Sequence, residues 1–167
     1  MQKINNLIEG TSIAYFLAYK CLMERNQEVT NYYYDSFSIY IFPAVTMAAF
    51  SCEVALKNHL SKVGIAMGGH NLKKLFYALP TIAQDKYAIT TVRLENCLST
   101  TLNKEPIFGL ADFEKALDRC RLTFTKCRYL YEGIQNIDID FVETFMFALN
   151  DEADQYESFL NKKIGKR

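Results

Sequence analysis

Between Ala44 and Leu56 the chain reads AVTMAAFSCEVAL, and only Thr46, Ser51 and Glu53 interrupt an otherwise apolar run. At helical spacing such a run is greasy on nearly every side. A helix of that kind has to be enclosed by other helices rather than lie on a surface. Downstream the pattern turns polar at Lys57, Asn58, His59, Ser61 and Lys62, halts at Gly64, and restarts after Gly68-Gly69-His70-Asn71 as a short segment closed by Pro80. Gly64 stands where a left-handed C-terminal cap is wanted. Asn71 or His70 can cap the short helix Leu72 to Leu79, and Pro80 ends it.

The remaining segments repeat at helical spacing. Ile4, Leu7, Ile8, Tyr15, Ala18, Cys21 and Leu22 mark the buried stripe of a first helix from Lys3 to Arg25, followed by a polar connection from Asn26 to Asn31. The central helix begins either at a cap among Asp35, Ser36 and Ser38, with Pro43 kinking it, or at Pro43 itself, where proline is tolerated in a first turn. Thr81 opens a helix carrying Ile82, Ala83, Tyr87, Ala88, Val92, Leu94, Leu98 and Leu102, and a loop follows from Asn103 to Gly109. Asp112 is placed to cap the next helix, whose stripe is Phe113, Ala116, Leu117, Cys120, Phe124, Cys127 and Tyr131, ending at Gly133. Asp138 or Asp140 caps a last helix with Phe141, Phe145, Ala148, Leu149, Ala153, Tyr156 and Leu160 on its apolar side. No stretch alternates apolar and polar residues as a strand does. The expectation is an all-α, up-and-down bundle of about six helices around the central apolar one, a single domain spanning the 167 residues.

Charge is balanced, with 19 basic against 19 acidic residues, so bulk electrostatic capture of nucleic acid or membrane is not expected. The 5 cysteines, Cys21, Cys52, Cys97, Cys120 and Cys127, are odd in number and lack C-x-x-C spacing. They read as reduced core residues of a cytosolic protein. No metal-ligand spacing and no cofactor motif is present, and neither a signal-peptide pattern nor a membrane span is recognisable. A cytoplasmic location is expected.

Gly64 to Lys74 superficially resembles a phosphate loop, but His70-Asn71 occupies the place of Lys-Ser/Thr and no strand precedes it. What survives is a helix start flanked by His70, Lys73 and Lys74 that could hold an anion, or else a plain turn in which Asn71 caps and the lysines are solvated. Glu53 needs a partner if buried; Lys57, one turn on, and Arg128 are candidates. Arg121, Thr125, Arg128 and Glu132 form a polar stripe beside the core, readable as a structural tie or a ligand cluster. Tyr32, Tyr33 and Tyr34 could stack on bases, or cover the core or a contact between copies.

The runs AAFSCEVALKNHLSKVG and GGHNLKKLFYALP resemble the HEPN superfamily, whose members carry an apolar helix with an embedded E-x-x-L-K, a glycine turn and a G-H-[ND]-L helix. Phe124 to Glu132, FTKCRYLYE, is similar to the R-Y-x-Y-E segment of some bacterial members and includes Tyr131. The resemblance implies a helical bundle that forms a homodimer and binds RNA, nucleotide or a partner protein encoded nearby, in a phage-defence, toxin–antitoxin or stress setting. The helix start, the polar stripe and the segment carrying the resemblance together supply Asn71, Lys73, Lys74, Arg121, Tyr131 and Glu132 as ligand-binding candidates. The ribonuclease motif of the family, Arg followed four to six residues later by His, is missing: the histidines are His59 and His70, and the only arginine before them is Arg25. A divergent ribonuclease or nucleotide-processing enzyme would then use Glu53, His70 as base and Arg128 against phosphate charge. A purely structural interaction subunit is the other expectation.

Overall fold

A computed structural model describes residues 2–32, 40–102, 107–127 and 137–164, and within them all regular secondary structure is helical. The elements are α1 (Gln2–Tyr32), α2 (Ile41–Lys62), α3 (Leu72–Tyr77), α4 (Thr81–Thr101), α5 (Leu110–Cys120), α6 (Thr123–Cys127) and α7 (Ile139–Leu149), then a 3-10 turn (Ala153–Gln155) and α8 (Tyr156–Lys163). α2 is enclosed by α1, α3, α6 and α7, as its sequence requires. It starts at Ile41, so Pro43 lies in the first turn, where its missing N–H costs no helical bond.

α7 is even more completely enclosed: every residue from Phe141 to Leu149 is buried, against α2, α4 and α5. Phe141, Phe145 and Phe147 interlock with Phe76, Phe113, Phe16 and Tyr156 through ring contacts of 4.9 to 5.9 Å. Each such side chain contributes on the order of 1.5–3 kcal/mol by leaving water.

Several boundaries differ from the periodic reading. α1 buries Ser12, Phe16, Tyr19 and Met23, while Leu7 and Cys21 face out. The core face of α1 contains hydroxyls, which are buried because they find partners (Ser12 on Asn150 at 2.5 Å, Tyr19 on Glu143). Cys52, Cys120 and Cys127 are buried free thiols as expected, but Cys97 is only partly buried and Cys21 is exposed. Ile82, the first apolar residue of α4, is 86% exposed.

The helix expected from Asp112 to Gly133 begins earlier and breaks. Gly109 is its N-cap, and Asp112 sits in the first turn, where its carboxylate accepts from Gly109 N–H at 3.1 Å. It stops at Cys120 and resumes at Thr123, because the Arg121 carbonyl accepts the N–H of Leu72 at 2.9 Å and Thr123 turns its hydroxyl onto Cys120 O. The last helix divides at Asp151, whose φ of 56° is left-handed. The expected caps at Asn71 and Asp138 hold: each side chain accepts a backbone N–H three residues on, from Lys74 and Phe141.

Candidate functional site

Glu53 lies on α2 with its side chain only 3% exposed, and two groups satisfy it. Lys57, one turn along the same helix, reaches it at 2.6 Å, and His70 Nδ1 stands 3.0 and 2.9 Å from its two oxygens. The chain returns His70 to α2 by way of Gly64 (φ 79°) and Gly69 (φ 90°), conformations in which a side chain is strained. The Ile65 N–H closes the turn on Leu60 O at 2.9 Å. The imidazole also rests on the Phe124 ring at 5.3 Å, and Phe124 on Phe50 at 4.4 Å. His70 is nonetheless 49% exposed.

With Nδ1–H held by a buried carboxylate, the free ring nitrogen is Nε2, which makes no hydrogen bond among the described residues. An imidazole so oriented can take or give a proton at Nε2. The same contacts also tie the glycine turn to α2 and compensate the buried charge, whose partners matter because an unpaired buried carboxylate is costly.

On the other side of the turn, Met67, Asn71, Lys73, Lys74, Tyr77, Ala78 and Arg121 line an open groove of about 610 Å³. Lys73 and Arg121 both engage Asp118, at 2.8 and 2.9 Å. The hydrogen bond from Lys73, with the charge of Arg121 beside it, holds the Asp118 carboxyl below its ordinary value. Lys74 is exposed and has no ion-pair partner among the described residues. Tyr77 donates its hydroxyl to Glu114, and burial together with that bond pushes the phenol up to about 12.

The groove thus gathers Asn71, Lys73, Lys74 and Arg121, four of the ligand-binding candidates, and Glu53 meets His70 as the enzymatic reading needs. Arg128, Tyr131 and Glu132 lie outside the described residues. The anion site expected at the start of α3 is largely closed: Leu72 N–H goes to Arg121 O at 2.9 Å and Lys74 N–H to Asn71 Oδ1 at 3.0 Å. Among the described residues no group of acids, histidines and cysteines could hold a metal ion, and no helix is long and apolar enough to cross a membrane.

Two buried carboxylates and the surroundings of a half-buried histidine complete the polar interior. Glu143, on α7, accepts from the Tyr19 and Tyr156 hydroxyls (the latter at 3.0 Å) and pairs with Lys163 at 2.8 Å. Burial, reinforced by this carboxylate, raises both phenols well above their ordinary value. Glu95, buried on α4, accepts from Thr144 Oγ1 at 2.5 Å; burial pushes its carboxyl up to about 7. His59 lies against α7, with Nε2 donating to Leu149 O at 2.9 Å and the Tyr87 hydroxyl standing 3.0 Å from the same nitrogen. Burial lowers its pKa. Glu143 was detectable in the way Glu53 was, as an acid inside the apolar run FVETFMFAL. Glu95 and His59 carry no such signal. Comparison with protein-family models, with curated proteins and with solved structures finds no match.

Proposed function

We propose that this chain is a HEPN-like, cytoplasmic, homodimeric binding module that takes RNA or a nucleotide into the groove between α3 and the α5–α6 junction, in a bacterial defence, toxin–antitoxin or stress system. The observation that carries the reading is the groove itself, whose lining combines Lys73, Lys74 and Arg121 with Met67, Tyr77 and Ala78. Cations suit phosphate, and apolar lining with one tyrosine suits a base. Asp118 offsets part of the charge of Lys73 and Arg121, so binding rests on a few contacts and weakens shallowly with salt. Fluorescence anisotropy of a labelled single-stranded RNA, and competition by ATP, tests it. The wild type binds; Lys74→Glu combined with Arg121→Glu abolishes binding without altering the far-UV circular dichroism. Equal binding by wild type and variant refutes the groove, and no binding of either probe refutes the reading.

The Glu53–His70 contact favours a second reading, a divergent ribonuclease in which Glu53 positions His70 as base. Incubation with RNA at matched concentrations distinguishes it. Cleavage lost in His70→Ala and reduced in Glu53→Gln supports catalysis; equal activity in wild type and His70→Ala removes it.

A further inference from the structure

The face of α1 turned away from Ser12, Phe16, Tyr19 and Met23 is itself apolar. Leu7, Gly10, Ala14, Leu17 and Cys21 follow one another at alternating steps of three and four residues, and all are exposed, Leu7 by 72% and Leu17 by 51%. That spacing averages 3.5 residues, the period of a seam that packs along a second helix. Charge is nearly missing from this stretch. From Leu7 to Cys21 the charged residues are Glu9 and Lys20, and both are engaged within the chain, Glu9 with Lys62 at 3.4 Å and Lys20 with Gln155 at 3.4 Å. Depletion of charge is the mark of an interface core.

Gly10 supplies an independent argument. Glycine inside a helix is destabilising relative to alanine and is kept where a close approach or an unusual φ demands it. Neither reason exists in the lone chain: a Cβ built on Gly10 meets nothing within 4 Å, and its φ is not positive. A backbone that comes close from outside would account for it.

We infer that this seam is where a second copy of the chain docks, α1 against α1 and antiparallel, about a two-fold axis passing between Gly10 and Ala14. A two-fold interface must be complementary to itself. Leu7, Gly10, Ala14 and Leu17 run large, small, small, large and read alike in both directions. In the antiparallel register Leu7 meets Leu17 of the second copy and Gly10 meets Ala14 of the second copy. The small residues admit close approach at the centre, and a leucine pair closes each end. The homodimer is part of the function proposed above; the surface is the new element, and the test separates the two.

The mass of the full chain in solution is measured by sedimentation equilibrium over a dilution series. The wild type is expected at twice 19.3 kDa, and Leu17→Glu and Gly10→Leu each weaken dimerisation by at least about tenfold with unchanged circular dichroism. Because both positions are open in the monomer, either variant retains the fold. In a Cys21→Ser background, Leu7→Cys together with Leu17→Cys forms an interchain disulfide on mild oxidation, whereas Leu17→Cys alone does not. A wild type that is monomeric at every concentration overturns both the seam and the dimer. A dimer indifferent to both variants overturns the seam and leaves the dimer. Self-linking by Leu17→Cys alone overturns the antiparallel register.

Discussion

Replacing Glu95 by glutamine should remove part of the pH dependence of stability. Glu95 is 7% exposed on α4 and accepts a hydrogen bond from Thr144 of α7 at 2.5 Å. Burial, followed by the charges of Asp138, Asp140 and Glu143, raises its carboxyl from an ordinary 4.5 to about 7, against the opposing pull of the Thr144 hydroxyl. The folded protein therefore holds this proton more tightly than the unfolded chain. Its contribution to stability is fully present below 4.5 and is lost as the pH rises through about 7. At 1.36 kcal/mol per pH unit the difference amounts to about 3 kcal/mol, a ceiling that relaxation or water entry reduces. Glu95→Gln removes the ionisation but retains an acceptor for Thr144. Urea unfolding followed by circular dichroism from about pH 4 to about pH 8 should show the variant gaining on the wild type by up to about 3 kcal/mol across that window. A wild-type-minus-variant difference that stays constant with pH refutes the reasoning.

His59 should act with the opposite sign. Burial holds its imidazole below the ordinary 6.5, so its contribution is present above 6.5 and lost as the pH falls; His59→Gln should flatten the acid limb of the same unfolding curves. Glu143→Leu strands Lys163 and two phenols, and should cost about 3–5 kcal/mol in urea unfolding. Asn71→Ala removes the Lys74 N–H acceptor and should cost about 1 kcal/mol, with faster amide exchange confined to α3. Gly10→Ala, with open space around its Cβ, should stabilise the monomer by up to about 1 kcal/mol when melted at dilutions where no dimer persists.

Features whose physics closes within a turn or two were legible in the chain. The Asn71 and Asp138 caps and the left-handed Gly64 each depend on neighbours three or four residues away. The Glu53–Lys57 pair is of the same kind. The Glu53–His70 meeting was anticipated only as one of several combinations, because it depends on where two left-handed glycines aim the turn. The exposed face of α1 was misassigned because apolar residues occupy two of its sides. Choosing between them requires Ser51, Glu143 and Asn150, which make Ser12 and Tyr19 acceptable in the core.

The order of residues determined that this chain is helical, that α2 must be covered, and where several helices begin and end, since backbone capping and apolar periodicity act locally. The tertiary structure decided which face of α1 is buried, where the α5–α6 rod breaks, and that Glu95 is an interior group and His59 a half-buried one. In each of those cases the deciding partner lies far along the chain. A buried carboxylate or imidazole is tolerable only once folding has brought that partner within hydrogen-bond reach.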